Sequence, residues 1–238
     1  KKKYPGLAVY GLITGPFTLT LHLLVTQLFM KLYEQPDEVH RVMELAAEVG
    51  LNMAKYYMDA GCDVLAVMDP MTSQIDTSTF DTFVMPYVIP IFESVRENGK
   101  LSSFFVCGHA QQNIESMFNC RPQNVSIDEN IPLEFVKNIA LKKGISFGGN
   151  LKLTVGLLMG TPDECRKQAL ECLDEGGNTG FILAPGCDLP RETPIENLKS
   201  VSELIHDPYM QDIVRALDRE VRSAERYNMK EYGQSDKV

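Results

Sequence analysis

The strongest constraint on this chain is an alternation. Short apolar runs rich in Val, Ile and Phe are separated by longer stretches of helical period, the pattern of parallel strands joined by crossover helices. The spacing predicts strands at Leu7 to Ile13, Asp63 to Asp69, Leu101 to Cys107, Val125 to Asp128, Ile145 to Gly149 and Gly180 to Ala184. Each ends in a Gly, Pro or polar cluster, as strands that feed loops do. Val42, Leu45, Val49, Met53 and Tyr56 recur at spacings of three and four, which predicts one buried helix face that Gly61 stops. Thr161-Pro162-Asp163-Glu164 reads as an N-cap, a first-position proline and acids at the positive end of the dipole, and Gly176-Gly177 closes that helix. Pro86 and Pro90 predict a kink or break between Phe80 and Asn98. A polar amphipathic helix is expected from Pro208 to about Tyr227, then a flexible tail over 229–238, with 233–238 disordered. No internal repeat, low-complexity segment or Gly/Ser linker divides the chain, so 1–238 reads as a single domain.

The fold class this implies is α/β, and a (β/α)8 barrel is the natural candidate. A complete barrel of that type takes roughly 250 residues, whereas these 238 residues supply six strands. Either two strands are hidden, or the chain is the larger part of a longer protein.

Charge and composition remove several functions. With 32 acidic and 23 basic residues the formal charge is −9, and that field repels a phosphate backbone, so no nucleic-acid partner is expected. The most apolar segment, Phe17 to Tyr33, carries His22, Gln27 and Lys31, so no membrane span is expected either. Six irregularly spaced cysteines do not make a disulfide scaffold. Reduced thiols or metal ligands in a cytoplasmic protein are the expectation.

In a parallel α/β fold, reactive side chains gather at the carboxyl edge of the sheet. Here that rim reads Met68-Asp69-Pro70, Val106-Cys107-Gly108-His109, Ile127-Asp128-Glu129, Gly149-Asn150 and Pro185-Gly186-Cys187. Soft thiolates with a carboxylate suit zinc, whose catalytic sites take three protein ligands and leave one position open. Cys107, Asp128 and Cys187 could fill those places. His109 lies two residues past Cys107, so in extended backbone both side chains would share a side. It could equally cap a helix beginning near Ala110, and Asp69 before Pro70 could be a turn residue. Cys62, Cys120, Cys165 and Cys172 read as packing residues, and His22 and His40 as structural or solvated. No Walker sequence, Gly-x-Gly-x-x-Gly or nucleophile elbow is present.

At these strand ends the sequence resembles the uroporphyrinogen decarboxylase superfamily, and within it the zinc- and corrinoid-dependent methyltransferases. The matching stretches are Thr14-Gly15-Pro16-Phe17-Thr18-Leu19, Ala60-Gly61-Cys62-Asp63, Asp69-Pro70, Cys107-Gly108, Ser126-Ile127-Asp128-Glu129 and Gly149-Asn150-Leu151. Met159-Gly160-Thr161-Pro162, Ile182 to Cys187 and Thr193-Pro194-Ile195-Glu196-Asn197 follow in order. The resemblance implies a (β/α) barrel with an amino-terminal extension, so the extension and the first strand are expected to be absent here.

The branch rests on fewer residues. The decarboxylases carry a histidine-bearing turn where Pro185-Gly186-Cys187 stands, and the methyltransferases carry a cysteine there. Their zinc site is similar to His-x-Cys-Gly, an acid on the next strand and the late cysteine, which carries over to Cys107, Asp128 and Cys187. Phe105 occupies the histidine position, and the nearest imidazole is His109. Zinc and a corrinoid supplied by a partner protein are the implied cofactors, with a small methyl donor or thiol acceptor as substrate. Asp69 and His109 are then the candidate catalytic residues, and Phe17, Phe105 and Asn150 the candidate substrate contacts. A homodimer is a further expectation. Two other readings stay open: a lyase decarboxylating an acidic substrate, and a non-catalytic subunit that binds a corrinoid protein.

Overall fold

The computed structural model describes residues 3–220. Six strands, β1 (Tyr10–Thr14), β2 (Val64–Met68), β3 (Leu101–Val106), β4 (Asn124–Ile127), β5 (Ser146–Leu151) and β6 (Phe181–Pro185), form one sheet in that spatial order. From β1 to β5 every adjacent pair is parallel. Consecutive parallel pairing without interleaving is the order of a (β/α) barrel, and the sheet is open, because β1 and β6 are not neighbours. All six expected strands are present, with ends shifted by up to three residues. The largest shift is at the first strand, where the Val9 amide is held 2.9 Å from Asp63 Oδ2 just ahead of β1.

Helices fill the connections: α1 (Pro16–Leu24), α2 (Gln27–Glu34) and α3 (Pro36–Asp59) after β1, then α4 (Thr77–Phe83) and α5 (Met85–Glu97) after β2. They are followed by α6 (Ile114–Asn119), α7 (Leu133–Lys143), α8 (Pro162–Gly176) and α9 (Ile195–His206). A further helix covers 208–220, and the rest of the helix and tail expected there lies outside the described residues. None of the described helices is long and apolar enough to cross a membrane. The chain divides into two compact units, Lys1–Asn150 with Thr179–Cys187, and Leu151–Asn178 with Asp188–Val238.

One helical expectation needs correction. α3 exists, but its apolar stripe does not face inward: Leu45, Val49 and Tyr56 are 61%, 49% and 68% exposed. The buried face is Val39, Met43, Ala46, Ala47, Gly50 and Ala54. Small residues win because α3 packs closely on α5, with the place of a Gly50 Cβ only 2.6 Å from Ile91 Cδ1. The break expected between Phe80 and Asn98 is present, at Val84 between α4 and α5. Pro86 then sits in the first turn of α5, where no amide is missed, and Pro90 lies inside the helix.

Alternation assigns the two faces of the sheet. Ile13, Val67, Phe104, Val125 and Phe147 are aligned across β1 to β5 and are all at most 2% exposed. The place of a Gly11 Cβ, on the same side as Ile13, is 2.6 Å from Tyr57 on α3, so this is the helix-covered face. At about 2 kcal/mol per fully buried apolar side chain, it is the main store of stability in the first unit. The opposite, inner face carries two aligned layers. Leu12, Ala66, Ser103, Asn124 and Ser146 form the lower one, and Thr14, Met68, Phe105, Ser126 and Gly148 the one nearer the carboxyl edge.

Asp69, directly after β2, ties the first two loops together. It is fully buried, and its carboxylate accepts from Thr18 N (2.7 Å), Thr18 Oγ1 (2.6 Å) and Phe17 N (3.2 Å) in the first turn of α1. Its backbone oxygen accepts from Thr72 Oγ1, and Thr18 Oγ1 in turn accepts from Met71 N. The approach requires glycine at position 15, since a Cβ there would stand 2.2 Å from Asp69 Cγ. Burial pushes the Asp69 carboxyl up to about 6, against the opposing effect of the Thr18 and Phe17 hydrogen bonds. In the second unit, Thr161 and Glu164 form a reciprocal capping box at the start of α8. Asn197 of α9 donates to Leu157 O and Gly160 O, at the end of a π-helical turn over Leu153–Leu158.

Two outcomes follow from these anchors. Thr161→Ala removes the cap and should cost about 1 kcal/mol in urea unfolding. Because the folded carboxyl of Asp69 titrates above its unfolded value, its contribution is complete below about pH 4 and is lost as pH rises through about 6. Relative to wild type, Asp69→Asn should therefore gain roughly 2–3 kcal/mol between pH 4 and 7. A constant difference across that range would show that Asp69 is not the titrating group.

Candidate functional site

One step beyond the second inner layer, the register continues into the loops. Phe105 is level with Ser126, so Cys107 and Asp128 follow two residues later on the same side, and Asn150, after Gly149 at φ +129°, reaches the Asp128 loop through its Nδ2. The carboxyl edge of β3, β4 and β5 thus presents a thiol, a carboxylate and an amide in a row. Cys187, two residues past the end of β6, completes the group, near enough to Cys107 to bear on its ionisation. Burial pushes the Cys107 thiol up to about 11, and the neighbouring Cys187 and Asp128 push in the same direction.

Each member is held by its loop. Gly108 has φ of +85°, which turns the chain after β3 so that its N–H donates to Asp128 Oδ2 at 2.7 Å. Asn130 donates from its backbone to Asp128 Oδ1 (3.0 Å) and from Nδ2 to Oδ2 (2.7 Å). Asn150 Nδ2 reaches Ile131 O at 3.0 Å and Asp128 O at 3.4 Å, pinning the loop after β4 from the next strand. Glu129 lies against the turn before Cys187, where a Cβ on Gly186 would meet its Oε2 at 2.3 Å.

The structure therefore brings Cys107, Cys187 and Asp128 together and sets Asn150 beside them. Asp69 lies at the same edge, with its carboxylate turned into the first turn of α1. Phe17 is fully buried, and Phe105 is 8% exposed on the inner layer below Cys107. His109 is exposed, and the left-handed turn at Gly108 removes the extended backbone that would have aligned it with Cys107. Ahead of α6 the chain forms a short 3-10 turn over Gln111–Asn113. Cys62, Cys120, Cys165 and Cys172 are buried, and all six cysteines are free.

Among the described residues no three His, Cys, Asp or Glu side chains are arranged as a metal-ligand group. Both oxygens of Asp128 accept hydrogen bonds from Gly108 and Asn130. The donor chemistry nevertheless fits zinc: two thiols and a carboxylate share one edge, and a divalent cation there would favour the Cys107 thiolate that burial disfavours. Sequence reasoning missed the residues that position these donors. Asp128-Glu129-Asn130 carries the Asx-turn signal that could have shown Asn130, whereas the Gly108 amide and Asn150 contacts have no local signature.

The uroporphyrinogen decarboxylase (URO-D) family matches residues 1–208. Methylcobamide:CoM methyltransferase MtaA of Methanosarcina barkeri is 26% identical over 204 residues, covering 84% of this chain and 58% of the relative. Uroporphyrinogen decarboxylase of Anaeromyxobacter dehalogenans is 27% identical over 203 residues, covering 82% of this chain and 57% of the relative. A solved methyltransferase from Methanosarcina mazei superposes with a TM-score of 0.76 at 25% identity, over 84% of this chain and 58% of that structure. The chain thus spans somewhat under three fifths of the length of these relatives. From residue 1 to 208, in sequence and in strand order, this chain belongs to the uroporphyrinogen decarboxylase family.

Proposed function

We propose that this chain carries the site of a zinc-dependent methyltransferase, moving a methyl group between a corrinoid on a separate protein and a thiol or methylated small molecule. The observation that supports it is the gathering of Cys107, Cys187 and Asp128 at the carboxyl edge of the sheet, with Asp128 tied to the turn after Cys107 through the Gly108 amide. Relatives named as methylcobamide:CoM methyltransferases lend the corrinoid and the thiol acceptor to this reading. Six free cysteines are in keeping with a reducing cytoplasm.

Cys107, Cys187 and Asp128 would hold the zinc. Bound there, it supplies Lewis acidity that keeps a substrate thiol ionised at neutral pH or polarises the leaving atom of a methyl donor. Gly108, Asn130 and Asn150 hold the Asp128 loop in place for that task. Asp69 acts as a positioning residue through the α1 turn that it pins. Phe17 packs in that same turn, and Phe105 walls the space below Cys107. His109, exposed just past Gly108, would meet substrate as it arrives. A lyase acting on a polycarboxylate needs cations at the site, and none of the aligned inner-face residues is Arg or Lys.

Metal content tests the reading. Purified chain should retain close to one zinc after dialysis, and Cys107→Ala or Cys187→Ala should each weaken retention at least tenfold while circular dichroism stays unchanged. Equal zinc retention in both variants would remove the proposed site.

A further inference from the structure

At the edge of the sheet opposite the thiols, the first unit carries a groove that the chemistry above does not use. It has a volume of about 720 Å³ and lies at the amino edge, where Gln123 and Ile145 lead into β4 and β5. Phe118, Pro122 and Ile145 give it an apolar lining, and Arg96, Arg121 and Lys143 bring three cations to it. No aspartate or glutamate lines it. All three cationic residues are exposed, and among the described residues none of them pairs with a carboxylate. In a chain of formal charge −9, three unneutralised cations at one groove reverse the overall field locally.

Two of the cations are anchored to a single three-residue stretch. Arg96 Nη2 donates to Arg121 O at 2.5 Å, and Lys143 Nζ donates to Asn119 Oδ1 at 2.7 Å. Each keeps further N–H groups for another partner. Their presence has a local cause, because they lie in the last turns of α5 and α7, where the helix dipole favours positive charge. Arg121 has no such cause. It stands beyond Cys120, the C-cap of α6, with φ of +59°, and its guanidinium has no partner among the described residues. A left-handed helix end normally takes glycine, as α7 does at Gly144, with φ of +64°, in the same groove. An arginine kept in a backbone conformation that disfavours it, with its side chain unengaged beside two other cations, points to a ligand for that side chain.

Guanidinium forks and an ammonium suit phosphate and carboxylate oxygens. The volume admits a small molecule rather than a lone ion. β3 spans six residues between the two edges, about 20 Å, so an occupant of the groove does not reach Cys107.

We propose that the groove between Arg96, Arg121 and Lys143 binds a small polyanion with at least two oxyanion groups, a diphosphate or a polycarboxylate. The site is separate from the thiol edge and independent of any metal there.

Isothermal titration calorimetry of the full chain at fixed ionic strength tests it with pyrophosphate, tricarballylate and, as a monoanion control, acetate. One of the two polyanions should bind at least tenfold tighter than acetate, and the tighter of them identifies phosphate or carboxylate as the class. Arg121→Ala should weaken that polyanion at least tenfold, the size of one charge-assisted hydrogen bond. Arg121→Lys, which keeps the charge without the fork, should fall between. Arg121→Gly separates ligand from fold: it suits the left-handed backbone, so the urea midpoint should stay at or above that of wild type while binding falls as in Arg121→Ala. Equal polyanion affinity in wild type and Arg121→Gly overturns the proposal, as does a lack of preference over acetate. Binding of an acidic tetrapeptide where neither small polyanion binds overturns it in favour of a protein partner.

Discussion

The site depends on register. Side chains on a strand alternate, so a slip of one residue between β3 and β4 would send Cys107 and Asp128 to opposite faces of the sheet. The register is protected from the helix side, where Ile13, Val67, Phe104, Val125 and Phe147 form an unbroken buried line. Any slip would drive this apolar line inward and turn Ser103, Asn124 and Ser126 against the helices. The chemistry at the edge is thus fixed by packing on the face that takes no part in it.

Carboxylates perform a second fixing task. Asp63 holds the approach to β1, Asp69 the start of α1, and Asp128 the turns after β3 and β4, each by accepting backbone N–H groups from a distant loop. A carboxylate suits this work because it accepts several hydrogen bonds at once. It also makes acidic residues ambiguous in a sequence, since an aspartate at a strand end in a barrel serves equally as a staple or as a reactive group. Asp69 is buried and surrounded by donors from α1, while Asp128 combines loop contacts with a place beside two thiols.

Much of the fold was legible in the sequence, because hydrophobic runs and the turn residues that end them are local. All six strands and the start of α8 could be read that way. The inward face of α3 could not. Periodicity shows which residues share a stripe, but whether a large or a small stripe faces inward depends on how closely the neighbouring helix approaches, which is information held on α5. Similarly, the gathering of Cys107, Asp128 and Cys187 at one edge follows from strand order, whereas the alignment of His109 with Cys107 assumed an extended chain that the turn at Gly108 denies. The polar inner layers were also invisible. Ser103, Asn124 and Ser126 are unremarkable until the strands carrying them are laid side by side.

That polar patch reverses the usual rule for engineering a protein interior. Where a core is oily, enlarging an apolar side chain is often tolerated and introducing a polar one is not. Around Asn124 the penalty runs the other way: a leucine of similar bulk would take the amide donor from the hydroxyls of Ser103 and Ser126 at a single stroke. Attempts to stiffen this protein by greasing its centre would therefore loosen it, and the safer places for such changes are on the helix-covered side.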